Sequence, residues 1–171
     1  MENIGLFYSF NTKNTSAAAQ MILKEWKDKN NTIEAVNVEE AMEEDFDRFN
    51  HFILGVPTWW DGELPNYWDE FLPSVEDNSL QGKTFAIYGA GDQKAYPDNF
   101  VDAIGIMADF ITKRGGEVIG FTENIGYEFD HSKALKEDKF VGLALDFENQ
   151  KNKVPEQIKN WIKKLRIDFP E

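Results

Sequence analysis

The stretch Phe52-Ile53-Leu54-Gly55-Val56-Pro57-Thr58-Trp59-Trp60-Asp61-Gly62 has two halves of opposite character. Its first half is apolar without interruption and stops at a proline. A strand with one wet face alternates apolar and polar residues, so an unbroken run of this length predicts a strand buried on both faces, as in the middle of a parallel sheet. Ile4 to Tyr8 and Thr84 to Tyr88 are further runs of the same kind. Thr32 to Val38 is β-branched and alternating, which suits a less buried strand, and Val118 to Phe121 adds a short one.

Helical stripes separate these runs. Ala18, Ala19, Ile22 and Trp26 recur at helical spacing, with Thr15 or Ser16 as the expected cap. Asp45, Phe46 and Phe49 suggest a short helical piece, and Tyr67, Trp68, Phe71 and Leu72 form a helical face. Phe100, Ile104, Met107 and Ile111 share a stripe that predicts a helix over Asp98 to Lys113, stopped by Gly115 and Gly116. Val154, Ile158, Trp161, Ile162 and Leu165 mark a last amphipathic helix. Strand and helix alternate, which is the signature of a parallel sheet covered on both faces. The expectation is a three-layer, doubly wound α/β fold with a five-stranded parallel sheet in the order 2-1-3-4-5. From Thr122 to Phe140 the chain turns polar, and Gly142-Leu143-Ala144-Leu145 is apolar again, so an insertion is expected to split the last strand. With 171 residues and no repeat or linker, residues 1–171 read as one domain.

Composition narrows the function classes. Asp and Glu number 31 against 18 Lys and Arg, a net charge of −13. That field opposes nucleic acid and anionic membranes and favours encounter with basic protein surfaces, although it also serves plain solubility. Cysteine is absent, which excludes disulfides, thiolate nucleophiles and Cys-based metal sites. His51 and His131 stand far apart and suit structural or surface roles better than a metal centre. The start, Met1-Glu2-Asn3-Ile4-Gly5, lacks a basic n-region, and no stretch is apolar enough to span a bilayer, so a cytoplasmic protein is expected.

In an open parallel sheet, ligands sit beyond the carboxyl ends of the strands. Three unusual loops follow strand runs and so fall on that one edge. Ser9-Phe10-Asn11-Thr12-Lys13-Asn14-Thr15 leads into a helix, whose N–H groups and positive dipole end form an anion site. The Thr12 and Thr15 hydroxyls and the Asn11 and Asn14 amides suit phosphate oxygens, and equally an ordinary capped loop. Pro57-Thr58-Trp59-Trp60-Asp61-Gly62 places two tryptophans at a turn, where one packing inward is unremarked but both is less so. Gly89-Ala90-Gly91-Asp92-Gln93-Lys94-Ala95-Tyr96 combines close backbone approach, an acid and an aromatic. Neither a P-loop nor a complete dinucleotide fingerprint is present. The combination points to a planar aromatic phosphate ester held between aromatic side chains.

Ile4-Gly5-Leu6-Phe7-Tyr8, Pro57-Thr58-Trp59, Gly91-Asp92-Gln93 with Tyr96-x-x-Asn99-Phe100, and Ser132 to Asp146 resemble the long-chain flavodoxins over essentially the whole chain. The resemblance implies one non-covalent FMN and a low-potential, one-electron carrier that shuttles between redox enzymes without a substrate of its own. It implies a monomer that meets the basic surfaces of reductase donors and acceptor enzymes. It further implies that residues 10–15 hold the ribityl phosphate and that Trp59 and Tyr96 cover the two faces of the ring. The backbone around Ala90, Gly91, Asp92 and Asn99 would meet the pyrimidine edge, and that of Trp60 and Asp61 would meet N5.

The sequence departs from the family loop, which reads close to G-T-x-T-G-x-T. Here Ser9, Phe10 and Lys13 replace the first Gly, the first Thr and the second Gly. A lysine in a glycine's place implies either a changed loop or backbone strain offset by a phosphate contact. Trp60 replaces a small or polar residue, which makes a turned Trp60–Asp61 peptide costlier by roughly 1–2 kcal/mol and narrows the gap between the two one-electron potentials. With only Lys13 and Lys94 basic in these loops, the second couple stays low. Three other readings are an FMN-dependent quinone reductase, a signalling receiver domain and a flavin-free interaction module. The first needs an open ring face, the second lacks its acids at Ser9 and Val56-Pro57, and the third rests on the altered phosphate loop.

Overall fold

A computed structural model describes residues 3–26 and 31–170; Met1 and Glu2, read above for a leader, lie outside it. The chain runs β1 (Asn3–Tyr8), α1 (Asn14–Glu25), β2 (Thr32–Asn37), α2 (Glu43–Asp47), β3 (His51–Gly55), α3 (Asn66–Phe71), β4 (Thr84–Ala90), α4 (Asp102–Lys113) and β5 (Glu117–Ile119). After them come β6 (Thr122–Glu123), β7 (Leu135–Lys136), β8 (Lys139–Phe140), β9 (Leu143–Leu145) and α5 (Val154–Asp168). The main sheet has the order β2-β1-β3-β4-β5, with every neighbouring pair parallel. The order 2-1-3-4-5 read from the alternating runs is the order found.

The unbroken runs are unbroken because both faces are covered. Side chains alternate across a strand, so Phe7, Phe52, Leu54, Phe85 and Ile87 enter one core with α2, α3 and α4. Ile4, Leu6, Ile53, Ala86 and Tyr88 enter the other with α1 and α5. In the first core, Phe52 stacks on Phe46 and on Phe85 at centroid distances of 4.4 and 4.7 Å, and those two rings lie 6.1 Å apart. Such pairs add about 0.5–1.5 kcal/mol each beyond burial.

The last strand is split as the sequence indicates. β5 pairs with Thr84–Ala86 of β4, and β9 pairs in parallel with Tyr88–Ala90 further along the same strand. Between them, β6, β8 and β7 form a small antiparallel sheet. The expectation of a polar insertion needs correction: Ala134 and Phe140 are fully buried, and Tyr127, Phe129 and Phe140 gather around Phe100 at 5.6, 5.2 and 6.1 Å. The apolar residues were too sparse along the chain to show period, and they converge on a residue outside the insertion.

Two helix starts also differ from expectation. α4 begins at Asp102, not Asp98, because Val101 has φ 50° and breaks the helical path; Asp98 to Val101 are turns that keep Phe100 in the core. α1 begins at Asn14 with Lys13 as its first flanking residue and no side-chain cap. Ser16, expected as a cap, donates its hydroxyl to the Ser9 carbonyl instead. Among the described residues no helix is long and apolar enough to cross a membrane, and no acid or histidine cluster could hold a metal.

Candidate cofactor site

The loops after β1, β3 and β4 meet at the carboxyl edge of the sheet, where the chain leaving β1 turns to β2 and the chain leaving the paired β3 turns the other way to β4. They enclose one continuous cleft with two compartments. The first, about 540 Å³, is walled by Asn11 to Thr15 on one side and by Pro57, Thr58, Trp59, Ala90 and Gly91 on the other. The second, about 420 Å³, adds Trp60, Asn99, Phe100 and Val101; Thr58, Trp59, Gly91, Asp92 and Tyr96 belong to both. Volumes of this order suit a single small-molecule ligand.

The first loop is shaped from behind. The Ser9 hydroxyl donates to the Glu39 carboxylate, and the Asn11 amide donates to the same group at 3.1 Å. The Thr12 hydroxyl donates to the Ser9 carbonyl at 2.8 Å. Ser9 is buried, and Phe10 leans on Tyr8 at 4.9 Å over a different groove, so neither lines the cleft. What the loop presents inward is the start of α1, whose first-turn N–H groups have no helical acceptor. Lys13 and Thr15 stand beside them. Tyr88 anchors this turn from the core, its hydroxyl donating to the Thr15 carbonyl at 3.0 Å. Lys13 has φ −84° and ψ −65°, ordinary right-handed backbone. Lysine here carries none of the strain that a left-handed, glycine-like conformation would impose.

The second loop separates the two tryptophans. Trp59 is half-buried and braced edge-on by Tyr67 at 5.7 Å, while Trp60 is 73% exposed. Residues 59–62 form a turn closed by Gly62 N–H to the Trp59 carbonyl at 3.2 Å. Trp60 has φ 49° at its first central position. That is the left-handed region, which favours glycine over a residue with a Cβ. Asp61 and Gly62 complete the turn and line neither compartment.

The third loop is ordered by its own acid. Asp92 accepts from Lys94 and Ala95 N–H and from the Asn149 amide. Partial burial works to raise its pKa, but the Ala95, Asn149 and Lys94 bonds and the Lys94 charge outweigh it and hold the carboxyl below its usual value. Tyr96, 55% exposed, rises from this turn beside the cleft. The side chain of Asn99, expected to contribute through its backbone, donates to the Asp61 carbonyl at 3.1 Å.

Several supporting residues escaped the sequence reading. Asp146 is fully buried and accepts from Gln93 N–H and Nε2 at 3.2 and 2.7 Å. It also receives Glu148 N–H and Asn149 N–H at 3.1 and 2.9 Å. Glu148 reaches the cleft wall. These residues follow β9, so the rule that singled out the other three loops would have found this one.

The donor set fits a phosphate: a helix start, a lysine and a threonine. The space between Trp59 and Tyr96 fits a flat ring. Comparison with known proteins agrees. The flavodoxin family model matches residues 6–161. The chain is 43% identical over 170 residues, 99% of each sequence, to the flavodoxin of Trichodesmium erythraeum. It is 40% identical over 168 residues, 98% of each, to that of Nostoc sp. PCC 7120. The crystal structure of Fusobacterium nucleatum flavodoxin bound to flavin mononucleotide superposes with a TM-score of 0.92 at 33% identity, covering 99% of this chain and 100% of that one. From the sheet order, the three-loop cleft and these relatives, the chain belongs to the flavodoxin family.

Proposed function

We infer that this chain, residues 1–171 as one domain, is an electron carrier that holds FMN in the cleft and turns over no substrate of its own. The observation that carries this is the meeting, at one sheet edge, of an anion-binding helix start with two aromatic side chains. Bound FMN supplies the one-electron chemistry, and the protein supplies binding and electrostatics. The α1 N–H groups, with Lys13, Asn14 and Thr15, hold the phosphate; Ser9, Phe10, Asn11 and Thr12 shape that loop. Trp59 and Tyr96 flank the ring, with Pro57 and Thr58 beneath it. The backbone of Ala90, Gly91, Asp92 and Asn99 meets the pyrimidine edge. The Trp60–Asp61 peptide, backed by Gly62, faces N5.

The net charge of −13 steers the carrier to basic surfaces of donor and acceptor enzymes and away from nucleic acid and anionic membranes. A cytoplasmic monomer is the working form. The test is the released cofactor. Mass spectrometry of heat-released material is expected to return one FMN per chain and no FAD, because the cleft offers one anion site. Recovery of FAD, or of no flavin after incubation with excess FMN, contradicts the assignment. Steady oxidation of a nicotinamide cofactor with quinone would favour the reductase reading instead.

Trp60 gives a second test. At φ near +50° a residue with a Cβ has one narrow well, whereas glycine has several. Rotating the Trp60–Asp61 peptide to offer its carbonyl rather than its N–H therefore costs Trp60 roughly 1–2 kcal/mol more than glycine. Trp60→Gly is expected to widen the gap between the two one-electron potentials by about 60 mV, the equivalent of a tenfold change for one electron. Potentiometric titration of parent and variant decides it; an unchanged gap refutes the peptide argument.

A further inference from the structure

The insertion is tied to the cofactor cleft through one buried carboxylate. Asp102, the first residue of α4, is fully buried. Its Oδ1 accepts the Lys133 N–H at 2.7 Å, and its Oδ2 accepts the Asn99 amide at 3.3 Å, with Lys133 Nζ at 4.0 Å. That same Asn99 nitrogen donates to the Asp61 carbonyl at 3.1 Å, inside the Trp60 turn. Lys133 is held in place because α4 carries Gly105 where the insertion crosses: a Cβ there would lie 2.2 Å from the Lys133 carbonyl oxygen. The turn closes on the other side of the carboxylate. Gly62 has φ 93°, and a Cβ on it would lie 2.6 Å from Asp102 Oδ2 and 2.9 Å from Asn99 Nδ2. Insertion, helix start and turn are thus packed around a single acid, with no room for a Cβ at either glycine.

We propose that Asp102 and Asn99 are positioning residues through which the insertion fixes the Trp60–Gly62 turn, and so sets the energy of that turn's two peptide orientations against the cofactor. The physical basis is the fixed direction of the Asn99 amide. A buried carboxylate must have its donors; Asp102 takes one from the insertion and one from Asn99, which leaves the remaining Asn99 hydrogen aimed at Asp61. The Asp61 carbonyl is the neighbour of the peptide that faces N5, so pinning it resists rotation of the Trp60–Asp61 peptide. Without the bracket, that peptide rotates more freely. A second tie, Ala103 N–H to the Thr58 hydroxyl at 3.0 Å, holds the near end of the same loop to α4 and is independent of Asp102.

This inference rests on the FMN reading above, and the experiment separates the two. Asp102→Asn keeps shape but places an amide hydrogen against the Lys133 or Asn99 donor. Asn99→Ala removes the amide and keeps the backbone. Both are titrated for their two one-electron potentials and their affinity for oxidised FMN. Each is expected to change the ratio of the two reduction equilibria about three- to tenfold, tenfold being about 59 mV for one electron, with a smaller change in FMN affinity. Lys136→Ala cuts a surface pair between the insertion and α4, 3.5 Å from Asp109, without touching the bracket, and is expected to leave the potentials unchanged. If Asp102→Asn does not fold, Asn99→Ala decides alone. Parental potentials in the folded variants overturn the proposal, as does an equal shift in Lys136→Ala. A parent that binds no FMN overturns the functional reading instead.

Discussion

Tyr96→Ala is expected to weaken FMN binding about 30- to 150-fold, a loss of about 2–3 kcal/mol. The estimate comes from what the ring does with and without a partner. Tyr96 is 55% exposed in a turn that its own bonds hold rigid: its N–H donates to the Asp92 carbonyl at 3.0 Å, and its carbonyl accepts from Asn99 at 3.3 Å. Little ordering is therefore needed when a flat ring settles against it, so most of the contact energy survives as affinity. Covering the exposed half of a tyrosine removes roughly 100 Å² from water, about 2.5 kcal/mol at 25 cal/mol per Å². Stacking adds about 0.5–1.5 kcal/mol, and incomplete coverage takes some back. Trp59→Ala is expected to cost at least as much, since its indole is larger and Tyr67 already braces it. Trp60→Ala is expected to cost less, because that indole lines only the second compartment, whereas Tyr96 lines both. Fluorescence titration of the apoproteins measures all three, and the parent complex is expected to be nearly non-fluorescent. A Tyr96→Ala dissociation constant within about threefold of the parent's would remove Tyr96 from the ring's face, since burial and stacking together predict about 30-fold or more.

What the sequence made legible was what depends on near neighbours. Phe52 to Val56 announced a doubly buried strand because burial on both faces leaves no polar position in the run. Leu143 to Leu145 announced the second half of the split strand for the same reason, and β9 extends the partnership with β4 where β5 stops. The cleft was legible because a parallel sheet sends every strand's carboxyl end to one edge. Long-range partners were not legible. Phe100 kept the helical stripe in phase while Val101 turned left-handed between it and Asp102, so periodicity overran the true start of α4. The Asn11 amide read as a phosphate donor, yet it is engaged by Glu39, about thirty residues on, as is the Ser9 hydroxyl. Asp102 and Asp146 looked like two of many acids. Their burial follows from Lys133 and Gln93, residues that the fold alone brings to them.

Asp146→Ala is expected to destabilise the apoprotein by about 3 kcal/mol, more than any surface acid in the chain, because the carboxylate is a hub for buried donors. Gln93 is 2% exposed and gives Asp146 both its N–H and its amide; its own carbonyl then accepts the Glu128 N–H at 2.6 Å. Removing the acceptor leaves those two Gln93 donors buried without it, at about 1–3 kcal/mol each before relaxation. Asn149 loses a partner for its N–H and its amide but stays near solvent, and so contributes less. The damage should spread to the cleft, since Asn149 also holds Asp92 at 2.8 Å and the Leu145 carbonyl beside Asp146 accepts the Gly91 N–H at 2.9 Å. For a chain of this size 3 kcal/mol corresponds to a fall of about 6–12 °C in Tm. FMN affinity is expected to fall as well, because the Gly91–Tyr96 loop must then be ordered on binding. Asp146→Asn, which restores one acceptor, is expected to recover part of the loss. Thermal unfolding of the apoproteins followed by circular dichroism measures the stabilities. A fall of less than about 2 °C for Asp146→Ala would mean that water replaces the carboxylate at Gln93, and that the third loop does not depend on this acid for its shape.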